Sequence, residues 1–211
     1  MVIAFLHGFM LALALILPLG PQNTFVISQG ATNRQYRQTL PVVFTAAMSD
    51  TVLIVFAVLG VNVVLVAVPA LQDILTVLGI FFLVWMGIQS WRAPVVNNLS
   101  DDKMSAYWTL KRRVGHAWRT SLLNPHAILD TVVVIGGGAA IYVHPAQKIA
   151  YTVAAVTVSW LWFFLLSMAG RFLGRLRNQG RTLRWINRSS SGIMWVIAAR
   201  YIIQLGSYLN R

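Results

Sequence analysis

The chain alternates between long apolar stretches and short polar breaks. Apolar runs of roughly 20 residues, the length of a helix that crosses a bilayer core, recur six times. They cover about Val2–Ile27, Leu40–Val68, Leu71–Trp91, Ala117–Val143, Ile149–Gly170 and Ile186–Tyr208. Only Val68-Pro69-Ala70 separates the second from the third, which predicts a tight turn. The other connections are short, so the pattern predicts one all-α membrane domain over residues 1–211, with six transmembrane helices. A first half of about 1–95 and a second of about 117–211 flank a basic loop at about 92–116.

Composition agrees. Hydrophobic residues make up 57% of the chain, charged residues 10%, and mean hydropathy is +0.67, whereas a soluble domain carries about 25% charged residues. The net charge of +12 does not call for nucleic acid, because the basic residues sort by side as membrane loops do. The loops after spans one, three and five, with the residues at their edges, hold 14 Lys and Arg: Arg34 and Arg37, six from Arg92 to Arg119, and six from Arg171 to Arg188. The opposite side holds Lys148 and Arg211. The odd-numbered loops are therefore expected in the cytoplasm and both termini outside. Met1 to Leu6 contain no positive n-region, so Leu11–Leu17 is expected to belong to a retained first span. The absence of cysteine excludes disulfides and thiol-ligated metals.

Three spans per half is an odd number, so homologous halves would lie in opposite orientations, with a site between them. Gly20-Pro21 and Asn124-Pro125 occupy similar places in spans one and four, 104 residues apart. Span one contains Leu17-Pro18-Leu19-Gly20-Pro21-Gln22-Asn23. Each proline deletes a backbone donor and clashes with the preceding turn, which predicts a broken helix restarting at Pro21, the first-turn position proline favours. Freed N–H groups and the positive helix end at such a restart suit a carboxylate; the bland alternative is a simple kink. Span four repeats the theme in Asn124-Pro125-His126, with Asp130 five residues after the proline. His126 reads as a satisfied hydrogen-bonding residue, and Gly136-Gly137-Gly138 as close helix packing.

Asp50 lies about eleven residues into span two, where an ionised carboxylate costs several kcal/mol unless paired, protonated or wetted. The chain has five acidic residues, all aspartate; Asp73 sits at a span edge, and Asp101 and Asp102 in a basic loop. Asp50 and Asp130 therefore need explaining. Arg200, within span six, is the candidate ion-pair partner, and it can neutralise only one of them. The surplus negative charge suits a proton or a cationic substrate.

Leu17–Asn23 followed by Phe25-Val26 and Gln29-Gly30, the Ser49-Asp50 pair, and Asn124-Pro125-His126 with Leu129-Asp130 resemble the lysine exporter (LysE) family, especially its arginine-exporter branch. The long basic loop after span three fits as well. The resemblance implies efflux of L-arginine or L-lysine across a bacterial inner membrane, by antiport against protons. On this reading the half-helix starts at Pro21 and Pro125, with Gly20, receive the substrate carboxylate. Asp50 and Asp130 receive its cationic groups, and Gln22, Asn23 and Asn124 add neutral hydrogen bonds. Exporting a +1 substrate from a cell that is negative inside costs about 2.3 kcal/mol per 100 mV, hence the proton exchange. Partners are then the amino acid, protons and the lipid bilayer, with room for a homo-oligomer; no cofactor or metal is called for. Export of neutral amino acids or of a small inorganic cation on the same scaffold is the alternative. An enzyme is disfavoured, since the chain has no nucleophile elbow, no paired metal-binding histidines on one helix and no glycine-rich phosphate loop.

The charge asymmetry makes a topological prediction. Reporter fusions or cysteine labelling place residues near Asp101 and Gln179 in the cytoplasm and both termini outside; an N-terminus mapped to the cytoplasm overturns the six-span orientation.

Overall fold

Prolines and glycines at the breaks, and apolar residues between them, produce a chain of helices with no strand among the described residues. The computed structural model describes residues 1–33, 35–67, 71–92, 108–122, 127–128, 130–173 and 179–209. Helix α1 (Val2–Ile16) leads into α2 (Pro21–Thr32), and a 3-10 turn at Tyr36–Gln38 precedes α3 (Leu40–Ala67) and α4 (Leu71–Arg92). Helix α5 (Leu110–Leu122) follows, then a π-helical segment (Asp130–Gly136) continuing into the single turn α6 (Gly137–Ala140). Two long helices, α7 (Pro145–Leu173) and α8 (Gln179–Leu209), complete the chain.

Tyr36–Gly60 and Pro145–Leu173 are each long and apolar enough to cross a membrane, and α1 with α2, bent by 76°, make a third such span if taken together. Val77–Arg92 and Thr131–Ala140 are shorter apolar helices. The turn expected at 68–70 lies outside the described residues. The fourth apolar stretch starts differently from expectation. Helix α5 begins at Leu110, inside the stretch read as basic loop, and exposes Lys111, Arg112 and Arg119 while burying Ala117 and Ser121. A helix with one basic and one small-residue face needs no continuous apolar run, so hydropathy places its start too late.

Helices α3 and α7 form the centre and touch each other. Helices α1 and α2 lean on α7, α5 and the π-helical segment lean on α3, and α4 pairs with α8. Small residues do the inward work. On α1, Ala4, Gly8, Ala12 and Ala14 are buried with Leu11, while Val2, Ile3, Leu6 and Met10 are exposed. This is the order expected in lipid, where close approach rather than hydrophobicity drives helix association.

Two apolar clusters result. One gathers Leu11, Ile54, Leu83, Ile135, Tyr151 and Met194; the other Val26, Val43, Ala47, Phe163, Leu166 and Leu173. Ile16, the last residue of α1, packs against both. At the first cluster's end His7 lies between the Tyr142 hydroxyl (2.9 Å from Nδ1) and the Tyr201 hydroxyl (2.6 Å from Nε2). At the other end, Arg113 on α5 donates to the Asn33 side chain (3.0 Å) and to the carbonyls of Gln38 (3.2 Å) and Trp108 (3.1 Å). The π-helical segment is buttressed by Tyr151, whose hydroxyl donates to the Ile135 carbonyl at 3.0 Å. Gly138 leaves room for that hydroxyl and for Leu11, the close packing its sequence suggests.

Helices α2 and α7 meet backbone to backbone at Gly30 and Gly170. A Cβ on Gly30 would collide with the Ser167 carbonyl, and one on Gly170 with the Ile27 carbonyl. Overpacking of this kind costs about 1–3 kcal/mol. Gly170→Ala is expected to lower folded protein in the membrane several-fold, measured by immunoblot and by melting in detergent. Gly60→Ala, with nothing within 4 Å of the added carbon, leaves both unchanged.

Candidate functional site

The break between α1 and α2 is the natural starting point, because its backbone lies among apolar helices. Proline at 18 and 21 removes two donors there, and Gly20 is extended (φ −70°, ψ −179°), so α2 restarts at Pro21 as the sequence predicts. Two asparagines satisfy what the break exposes. Asn23 Nδ2 donates to the carbonyls of Ile16 (2.6 Å) and Pro18 (2.7 Å), which uses both of its hydrogens. Asn187, on α8, accepts the Leu19 N–H on Oδ1 at 3.1 Å. The Gly20 N–H turns back to the Pro18 carbonyl at 2.9 Å, and Thr24 N–H to Gly20 O, also 2.9 Å, closes the first turn of α2. No side chain caps α2, and the amides of its first turn have no intrahelical acceptor.

Asp50, on α3, faces this break. Its Oδ1 accepts from Gln22 Nε2 at 3.3 Å and its Oδ2 from the Ser159 hydroxyl of α7 at 3.1 Å. Both donors are neutral, so the carboxylate is held in place without its charge being cancelled. A carboxylate offers about four acceptor positions, so two bonds leave capacity for a further donor. Ser49 and Thr51, its neighbours in sequence, bond instead to the carbonyls of Thr45 and Ala47 on their own helix. Trp160 Nε1 then donates to the Thr51 hydroxyl at 3.1 Å.

The helix break and Asp50 line one cavity of about 370 Å³, within the range of small-molecule sites. Gly20, Pro21, Gln22, Asn23 and Asp50, named from the sequence, all line it. Ser159, Asn187, Gln89, Ser90 and Thr131 join them, and sequence reasoning missed all five. Each is a polar residue within or at the edge of an apolar stretch, which was the available signal; the missing information was which way it faces. Ile16, Ile54, Met86 and Phe163 supply apolar wall.

Asn124 and Pro125 lie outside the described residues. Asp130 opens the π-helical segment, whose Thr131 and Ile135 reach the cavity, and its side chain is not among those described. Arg200 is exposed on α8, thirteen residues or about 20 Å along the helix from Asn187, near the His7 end. Asp50 therefore takes its hydrogen bonds from Gln22 and Ser159 rather than from Arg200.

The profile of the LysE type translocator family matches residues 13–205. Among curated proteins, the chain is 38% identical over 202 residues to YisU of Bacillus subtilis (strain 168), to which amino-acid transport is ascribed; the match covers 96% of this chain and 90% of that one. It is 33% identical over 203 residues to the arginine exporter protein ArgO of Salmonella enteritidis PT4, covering 94% of this chain and 92% of ArgO, and equally to ArgO of Salmonella gallinarum. No solved structure matches it.

Removing a buried donor while its acceptors stay costs about 1–3 kcal/mol per stranded group. Asn23→Ala strands the Ile16 carbonyl and leaves the Pro18 carbonyl with the Gly20 N–H alone, so folded protein is expected to fall several-fold in membranes. Gln22→Ala, which leaves the break satisfied, keeps abundance normal on the same immunoblot.

Proposed function

The chain belongs to the LysE family of translocators, and from that premise we propose that it exports a basic amino acid, L-arginine or L-lysine, through the cavity beside Asp50 in exchange for protons. Amino-acid export and a multi-pass membrane setting follow from the family and its relatives. The observation that carries the finer reading is Asp50 itself, a carboxylate on the cavity wall whose partners are neutral. A basic amino acid presents a carboxylate, an α-ammonium and a second cation. Asp50 takes a cationic group, and the open end of α2 takes the carboxylate, favoured there by unpaired amides and the helix dipole. Asp130 is the second cation ligand, Asn124 and Pro125 form the matching break of the second half, and Asn23 keeps the first break in shape. A proton on the same carboxylates supplies the return cargo.

The alternating cycle rests on two inverted halves of three spans each, in the inner membrane, with both termini outside. Helices α3 and α7 start 105 residues apart and α4 and α8 start 108 apart, close to the spacing of the two prolines. The contacts follow the same exchange: the broken first span of one half leans on α7, and the corresponding segments of the other lean on α3. This pattern supports a site between the halves.

Losing one charge-assisted hydrogen bond is worth about 1.5–3 kcal/mol, about a tenfold to hundredfold loss of affinity. Asp50→Asn is expected to weaken arginine efflux by that factor at normal membrane abundance, measured in loaded vesicles beside labelled lysine and threonine. Full arginine efflux in both Asp50→Asn and Asp130→Asn ends the aspartate mechanism. Preferred efflux of threonine would replace the basic substrate with a neutral one.

A further inference from the structure

We infer that Asn187 is a specificity residue: its side-chain amide N–H is the donor that reads the carboxylate of the transported amino acid. The inference deepens the proposed export of a basic amino acid and rests on it. Asn187 is 94% buried (6% exposed) and lines the cavity. Its Oδ1 is bonded to the Leu19 N–H. A backbone N–H can only donate, so this bond fixes the orientation of the amide and sends Nδ2 the other way. Among the described residues Nδ2 has no acceptor, and it is not one of the enclosed side-chain atoms that lack one, so it is open to the cavity that Asn187 lines. The main chain at this position is held firmly, for the Asn187 carbonyl accepts from the Ser90 hydroxyl at 3.0 Å and the Ser191 hydroxyl at 2.9 Å. One amide group thus closes the break with its oxygen and offers a positioned donor beside the uncapped start of α2 with its nitrogen.

A carboxylate is the acceptor that this pair of features fits. It answers a fixed neutral donor and a positive helix end together, and in the same cavity the only titratable group described, Asp50, faces the opposite need of a cation. The two ends of the substrate are therefore read by different helices. Asn187 and the start of α2 require a carboxylate, and Asp50 requires a positive charge. An amine of the same shape without the carboxylate leaves Nδ2 unanswered, and a site built to hydrogen-bond a group rejects an analogue lacking it.

Asn187→Asp separates these roles. The aspartate keeps an oxygen for the Leu19 N–H and nearly the same volume, and exchanges the free donor for a negative oxygen. The assay uses the full chain in vesicles, with labelled arginine and with agmatine, its decarboxylated amine, as competitor. In wild type, arginine is transported and agmatine competes poorly. In Asn187→Asp the apparent KM for arginine rises at least tenfold while agmatine competes better than in wild type, at normal abundance. Equal discrimination in variant and wild type overturns the inference and leaves basic-amino-acid export standing. Failure of wild type to transport arginine overturns the proposed function itself. Should Asn187→Asp not accumulate, Asn187→Ala serves with the same readout, arginine weakened more than agmatine. Absence of both variants from the membrane also counts against the inference, since it reduces Asn187 to a support of the break.

Discussion

A membrane interior gives no water to an orphaned backbone group, and this protein breaks a helix within an apolar stretch long enough to span one. Pro18 and Pro21 make the interruption unavoidable, yet it persists only because side chains elsewhere complete its hydrogen bonds. Asn23 reaches back to two carbonyls and Asn187 reaches across from α8 to an N–H. The 76° bend, the open start of α2 and the cavity they border all depend on those three bonds. The chemistry of the site is built from the same atoms that repair the fold.

The partners of Asp50 carry the complementary lesson. A buried ion pair with an arginine would satisfy the carboxylate and hide its charge, and a cargo would then have to displace a strong, desolvated partner. Neutral donors from Gln22 and Ser159 orient the group and leave its charge uncompensated. Exposed basic residues such as Lys111 and Arg112 on α5 lie instead toward the Arg113 end. Arg112 rests on the face of Trp108 at 4.5 Å and Arg188 on that of Trp91 at 5.1 Å, so even these cations are spent on packing rather than on the cavity.

Much of this was legible in the sequence, and the boundary of legibility has physical causes. Proline geometry is local, so the restart at Pro21 could be read within a single heptad. The exceptional cost of a carboxylate among apolar residues likewise marked Asp50. The partners were hidden because their contacts are long-range: Leu19 meets Asn187 across 168 positions, and Ser159 meets Asp50 across 109. Adjacent residues on a helix point different ways, which is why Ser49 and Thr51, although next to Asp50 in sequence, bond to carbonyls of their own helix. Asn23, expected from the sequence to offer a neutral hydrogen bond to the substrate, gives both of its amide hydrogens to the backbone. The π-helical stretch left no hydropathy signal because it does not change the apolarity of its segment, and the early start of α5 was masked because its first turn is basic.

The glycine contacts between α2 and α7 have a mechanical corollary. Backbones that touch at Gly30 and Gly170, with Gly8 of α1 similarly close to Tyr151, leave no side-chain layer to act as lubricant. At these contacts α1 and α2 meet α7 without intervening side chains, so any displacement of one against the other drives backbone into backbone. Gln22 belongs to α2 and Ser159 to α7, while Asp50 belongs to α3. The carboxylate is thus oriented by two neutral bonds from helices that are locked to each other, so its position is set by that packing and not by its own helix alone.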